Sequence, residues 1–234
     1  METKNYLVAG GTSGIGKEIV KQLLDSKHRV FVIARNIPEA DLQFEGATYF
    51  KGDFTDSAVV FPEISEPLHG MVYCPGSINL RPFKNLRDDD FYMDWNVNFL
   101  GAVKMLRYYL PALQSSGSAS VLFFSTVAVQ TGMPFHASVA AAKGAIEGFA
   151  RAMAAELAPT IRVNVIAPSL TDTPLASRLI NHETKLQSAK DRHPLKRIGS
   201  SAEIASMATL LLDDRGSWMT GQIIKVDGGI SALK

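Results

Sequence analysis

The chain has 234 residues, 46% of them hydrophobic, with a formal net charge of +1 and a single cysteine, Cys74. That length suits one large α/β domain over 1–234. Near-neutral charge argues against a polyanion such as nucleic acid as partner, and one cysteine excludes an internal disulfide.

Tyr6-Leu7-Val8-Ala9 is a short apolar run ending at Gly10-Gly11 and reads as a buried parallel strand. The charged start Met1-Glu2-Thr3-Lys4-Asn5 runs straight into it, so no signal peptide is expected and the cytoplasm is the expected location. A helical pattern follows, with Ile15, Ile19, Leu23 and Leu24 on one face. Gly10, Gly14 and Gly16 punctuate the crossover. Gly10 allows a tight strand exit, Gly14 a close backbone approach to a pyrophosphate, and Gly16 close packing of helix on sheet. The free N–H groups of that helix start suit an anion. Arg29 to Ala34 is a second strand, and Arg35 follows where a dinucleotide fold meets the adenosine ribose. Two readings stand for Arg35: a partner for a 2′-phosphate, to which Ser13 adds a hydrogen bond, favouring NADP over NAD, or a solvated loop cation.

Ala47 to Lys51 is a third strand, closed by Gly52-Asp53-Phe54. Two readings stand for Asp53: acceptor for an adenine amino group, with Phe54 packed on the ring, or simple turn residue. Asp56 is a candidate helix N-cap. Gly70 to Tyr73 is the fourth strand, Asp88 to Leu113 a long helix, and Val121 to Phe124 the fifth strand. Ala137 to Leu157 is a helix carrying Lys143, and Ile161 to Ala167 a sixth strand ending at Pro168-Ser169. Thr173 to Arg192 reads as a helical lid, Ala202 to Leu212 as a helix and Gln222 to Val226 as the last strand. Strands alternating with helices predict a Rossmann-type, doubly wound parallel sheet of about seven strands. The uncharged run from Tyr108 to Ala142 is broken by prolines, glycines and serines, so no membrane span is expected.

Taken together, several ordered pieces resemble the short-chain dehydrogenase/reductase family. They are Gly10-Gly11-Thr12-Ser13-Gly14-Ile15-Gly16, Gly52-Asp53-Phe54-Thr55-Asp56, Asn98-Phe99-Leu100-Gly101, Arg162 to Pro168 with Thr171-Asp172-Thr173-Pro174, and Met219 to Gly229. The resemblance implies a nicotinamide cofactor, a small carbonyl or alcohol substrate, no metal, and a homodimer or homotetramer packed through two long helices. It places Gly10, Thr12, Ser13, Gly14, Ile15, Gly16, Arg35, Asp53, Phe54, Gly76, Lys143, Pro168, Thr171 and Thr173 against the cofactor. It assigns Thr126 to orient the carbonyl, Lys143 to the ribose and local field, and Asn98 to a relay water.

Two stretches depart from the family pattern. Tyr73-Cys74-Pro75-Gly76 stands where Asn-Asn-Ala-Gly is usual. The tyrosine expected four residues before Lys143 is Val139, which cannot donate a proton. Ser138 is five residues from Lys143, about 500° around a helix and off its face. Two expectations follow. One is an NADP-dependent oxidoreductase whose proton comes from His136, from a water on Lys143 or from the substrate. The other is a non-catalytic cofactor-binding partner, sensor or structural subunit.

Overall fold

The computed structural model describes residues 2–56 and 58–233. The elements run β1 (Asn5–Ala9), α1 (Gly14–Asp25), β2 (Arg29–Ala34), β3 (Ala47–Lys51), β4 (Gly70–Tyr73), α2 (Asp88–Trp95), α3 (Gly101–Ser115), β5 (Ala119–Phe124), α4 (Ala128–Thr131), α5 (Ala137–Leu157), β6 (Ile161–Pro168), β7 (Thr171–Asp172), α6 (Glu183–Arg192), β8 (Gly199–Ser200), α7 (Ser201–Leu212) and β9 (Ile223–Val226).

Seven strands form one sheet in the order β3-β2-β1-β4-β5-β6-β9, every pairing parallel. This is the predicted Rossmann-type sheet. The central strands β1, β2, β4 and β5 are largely apolar and buried because helices cover both faces. Alternate residues feed two separate cores. Leu7, Ile33, Met71, Val121, Phe123 and Val163 face Met105, Leu106 and Leu113 of α3 and Ile146 and Ala150 of α5. Tyr6, Val8, Val32, Val72, Leu122 and Ile166 face Ile19, Val20 and Leu23 of α1 and Ile204, Ala208 and Leu211 of α7. The register, with Leu7 opposite both Phe31 and Met71 and with Met71 opposite Val121, keeps each core on its own side. Strand order reverses between β1 and β4, opening a crevice at the carboxyl ends of the strands, where ligands bind in such sheets.

Several elements differ from expectation. The buried stripe of α1 is Gly16, Ile19, Val20 and Leu23, while Ile15 and Leu24 lie at its edge. The single long helix from Asp88 to Leu113 is instead α2 and α3 joined by a π turn, Asn96–Leu100. The widened turn has a local cause. The Tyr73 hydroxyl donates to the Val97 carbonyl at 2.7 Å. A Cβ on Gly101 would stand 2.1 Å from that hydroxyl, so only glycine fits. Asp56 caps no helix: its Oδ1 accepts from the Ala58 N–H at 2.8 Å, and no helix occurs among the described residues between β3 and β4. Phe54, Phe61, Ile64 and Leu68 from that connection plug the core directly. The predicted helical lid is two pieces, a 3₁₀ turn Pro174–Leu179 and α6. The lid is tied down by the β7–β8 pairing. No helix is long and apolar enough to cross a membrane among the described residues.

Candidate active site

The strand ends gather the candidate residues along the crevice. Gly10 leaves β1 with φ +73°, a left-handed conformation that suits glycine. A Cβ on Gly16 would stand 2.3 Å from the Gly10 carbonyl oxygen, so α1 closes directly on the turn. Gly11, whose role the glycine spacing alone does not reveal, would drive a Cβ to 2.8 Å from Val20. Ser13 is the N-cap of α1 but makes no capping hydrogen bond, and the first turn holds no acid. The start of α1 therefore presents N–H groups and positive dipole to the crevice without a side-chain partner, and this suits an anion. Thr12 and Ile15 lie half-buried in the same turn.

Arg35 follows β2 exposed, close enough to Asp53 for its charge to help lower that carboxyl. The larger cause is Thr55, whose hydroxyl and N–H both donate to Asp53 Oδ1, at 2.7 and 2.9 Å. The turn reading of Asp53 thus accounts for one oxygen. Phe54 departs from its expected place. Its ring is 5% exposed and packs edge-on against Tyr73, centroids 5.2 Å apart. Core packing occupies the ring, so it is not free to stack on an adenine.

At the end of β5, two adjacent hydroxyls have different fates. Ser125 is buried and donates to Glu147 Oε1 at 2.6 Å. Thr126 Oγ1 only accepts a long 3.3 Å bond from the Ala128 N–H, so its own proton is free. Of the pair, only Thr126 keeps a hydroxyl proton with no acceptor among the described residues. Lys143 on α5 is 8% exposed and donates from Nζ to the Phe124 carbonyl at 2.8 Å. Burial pushes its amine down to about 8; a Cys74 thiolate would pull the other way, but burial keeps that thiol neutral where the amine titrates, which leaves the Asp94 charge as the opposing one. An ammonium has three donors, and one is used here. A Cβ on Gly76 would stand 3.6 Å from that Nζ and 3.2 Å from Asn98 Oδ1, so these two groups flank the same glycine.

Asn98 is fully buried and held on every side. Its Oδ1 accepts from the Ser77 N–H at 3.2 Å, and its Nδ2 donates to Ser77 Oγ at 2.7 Å and to the Asp94 carbonyl at 2.9 Å. Ser77 Oγ in turn donates to Asp94 Oδ1 at 2.5 Å.

Val139 sits one turn before Lys143 on α5, 5% exposed. No described tyrosine hydroxyl compensates. Those of Tyr73 and Tyr109 donate to the carbonyls of Val97 and Pro62. Tyr49 accepts from the Phe44 N–H, Tyr6 is buried and feels Asp213 at the other end of the sheet, and Tyr92 and Tyr108 are exposed. His136, the residue before α5, uses Nδ1 to donate to the Pro134 carbonyl at 2.8 Å, a helix-end tether.

On the far wall, Pro168 ends β6, and the buried Thr171 hydroxyl donates to the Ser169 carbonyl at 3.0 Å. Thr173 Oγ1 accepts from the Ala176 N–H at 3.2 Å, starting the 3₁₀ turn. A Cβ on Gly14 would meet the Thr173 methyl at 3.3 Å, so the lid reaches the glycine turn. The lid is anchored by buried His193, which sequence reasoning missed. Its Nδ1–H donates to the Ala189 carbonyl at 2.7 Å, and its Nε2 accepts from the Ser169 hydroxyl at 2.8 Å. Glu147 and Asp94 were also missed. Each sits one helical turn from a site residue, Lys143 and Asn98 respectively, and that spacing is the signal that marks them.

Residues 9–231 match the family model described as enoyl-(acyl carrier protein) reductase. A tropinone reductase homologue from Datura stramonium is 29% identical over 95% of this chain and 90% of its own. One from Arabidopsis thaliana is 31% identical over 96% of this chain and 78% of its own. The chain belongs to the short-chain dehydrogenase/reductase family. As a member it is an oxidoreductase of a family that uses nicotinamide cofactors. The fold is also that of the aldohexose dehydrogenase of Thermoplasma acidophilum, with TM-score 0.90, 23% identity and coverage of 100% of this chain and 96% of that one. In this short-chain dehydrogenase/reductase no group of three or more metal-ligating side chains occurs among the described residues.

Proposed function

We propose that the protein is an NADP(H)-dependent oxidoreductase of small carbonyl or alcohol substrates, in which Lys143 takes over the proton transfer that a tyrosine performs elsewhere in the family. The observation that carries this reading is the Lys143 amine itself. It lies between the β5 end and Gly76, holds one of its three donors in a bond to Phe124, and has Val139 where a phenol would stand.

Residues suited to the cofactor are the backbone from Gly10 through Thr12, Ser13, Gly14 and Ile15 to Gly16 for the pyrophosphate, and Arg35 for a 2′-phosphate. Asp53 suits the adenine edge. Gly76, Pro168, Thr171 and Thr173 suit the nicotinamide side. When bound, that cofactor supplies or accepts a hydride at the substrate carbon. The Thr126 hydroxyl donates to the substrate oxygen and fixes it. The Lys143 ammonium then gives that oxygen a proton, directly or through one water, and the amine left behind recovers one from solvent. A positioned acid or base of this kind contributes about 10²–10⁴-fold. An amine near 8 is matched to neutral operation, because the best catalytic group titrates close to the working pH. His136 is the weaker donor, since its ring is tethered at the helix end.

The same reading takes 1–234 as one catalytic domain, working in the cytoplasm as a homodimer or homotetramer. The non-catalytic alternative gains no support from the relatives, which are named as tropinone reductase homologues and as a diol dehydrogenase. Fluorescence titration with NADPH and NADH, followed by NADPH consumption against ketones, aldehydes and acyl thioesters, tests it. Tighter NADPH binding and turnover of at least one carbonyl are expected. Tight binding with no consumption across the panel would defeat it.

A further inference from the structure

Helix α2 carries two buried aspartates one turn apart, and they are treated very differently. Asp90, 2% exposed, accepts from the Arg87 N–H at 2.9 Å and has Arg81 at 3.6 Å and Arg87 at 3.9 Å. Asp94, 1% exposed, has no cation within 4 Å among the described residues. Its Oδ1 takes the Ser77 hydroxyl, and its Oδ2 is buried without a hydrogen-bond partner. A buried, half-satisfied carboxylate is costly and calls for a compensating charge.

The compensating charge lies across Gly76. Lys143 is buried on α5, which packs against α2, and two of its three donors go to no described residue. The charged and titratable groups around the amine are few. Cys74 comes from the end of β4, where burial pushes its thiol up to about 12 and keeps it neutral. Glu147, one turn along α5, is occupied by Ser125 and by Gln130 of α4, and His136 is tethered at the helix start. Asp94 is the remaining anion that acts on the amine, and its charge opposes the effect of burial. The linkage is continuous: Asp94 to Ser77, Ser77 to Asn98, and Asn98 Oδ1 and Lys143 Nζ both within 3.6 Å of the point where a Gly76 Cβ would stand.

We propose that Asp94 is the counter-charge of Lys143, a positioning residue that, fixed by Ser77 behind Asn98, holds the amine as an ammonium ready to donate a proton. This rests on the reading of Lys143 as the proton donor, and it adds two residues outside the family's Asn, Ser/Thr and Lys positions. The carboxylate touches neither substrate nor cofactor. It acts on the charge of the group that does.

The test is an NMR titration of Lys143 in protein labelled on lysine with ¹³C and ¹⁵N, with the signal assigned by Lys143→Arg. In Asp94→Asn the midpoint should fall, leaving about tenfold less ammonium at a fixed pH above it, since one pKa unit is tenfold. Ser77→Ala should move it in the same direction by less, because the charge stays but loosens. Ser77→Ala also carries the test should Asp94→Asn not fold, which thermal unfolding reports. An unchanged midpoint in the folded variants would overturn the proposal. The readout needs no turnover, so the two ideas separate. A midpoint that moves in a protein that reduces no carbonyl leaves Asp94 as counter-charge and removes Lys143 as donor. A fixed midpoint beside a pH-dependent reduction does the reverse.

Discussion

Restoring a phenol beside Lys143 tests whether the rest of the site is assembled. Val139→Tyr places a hydroxyl on the same α5 stripe one turn before the lysine, where residues four apart lie about 5–6 Å apart at Cβ. The nearby ammonium favours the phenolate and so lowers the phenol's pKa. Val139 is 5% exposed, so the larger ring has to be accommodated at a cost of about 1–3 kcal/mol of stability. A phenol that takes over the proton transfer adds only the difference between itself and the Lys143 acid already in place, so kcat should rise by less than the about 10²–10⁴ that a positioned acid is worth over none. The assay is NADPH consumption with a carbonyl that the wild type accepts slowly, with Val139→Phe as the steric control. Val139→Tyr should accelerate, and Val139→Phe should not. A folded Val139→Tyr protein that binds NADPH like wild type, yet reduces the carbonyl no faster, would refute the claim that Thr126, Asn98 and Lys143 stand ready around that position.

Other consequences are as direct. Arg35→Ala should weaken NADPH binding by about 10–100-fold while leaving NADH unchanged, the usual worth of a charge-assisted contact; equal losses for both cofactors would contradict the 2′-phosphate reading. Glu147→Ala strands the buried Ser125 hydroxyl and should cost about 1–3 kcal/mol in urea unfolding, lowering kcat through the displaced Thr126. Lys143 provides a linkage test. Its amine is lowered from 10.5 to about 8, so between those values the unfolded chain holds more protons, and stability rises with pH through that window. The penalty below it is about 3 kcal/mol, so any stability advantage of Lys143→Met at pH 7 should shrink by about that amount near pH 10.5. An equal difference at both pH values would contradict the buried-ammonium picture.

The sheet was legible because its strands are short, apolar and spaced by helices, and because Gly10, Gly14 and Gly16 each have a mechanical reason to be there. Helix ends inside continuous helical pattern were not legible. Nothing in the residues from Asp88 to Leu113 announces a π turn, since its cause, the Tyr73 hydroxyl meeting Val97 and Gly101, arrives from another strand. Phe54 misled for a related reason. A ring beside Asp53 fits an adenine or a core equally well, and only the missing helix between β3 and β4 makes it a core plug. In the candidate site, position in the chain singled out Lys143, Thr126 and Asn98, and the structure places Lys143 and Asn98 on either side of Gly76. Asp94 and Glu147 were not, because a carboxylate on a helix reads as solvated until tertiary packing buries it.

The most direct measurement is the pH dependence of kcat in both directions, from about pH 6.5 to about pH 9.5, in wild type and Lys143→Met. With Lys143 as acid in reduction and base in oxidation, reduction should fall and oxidation should rise through about pH 8, and both slopes should vanish in Lys143→Met. Two flat profiles, or slopes that survive the loss of the amine, would contradict a lysine-centred proton transfer.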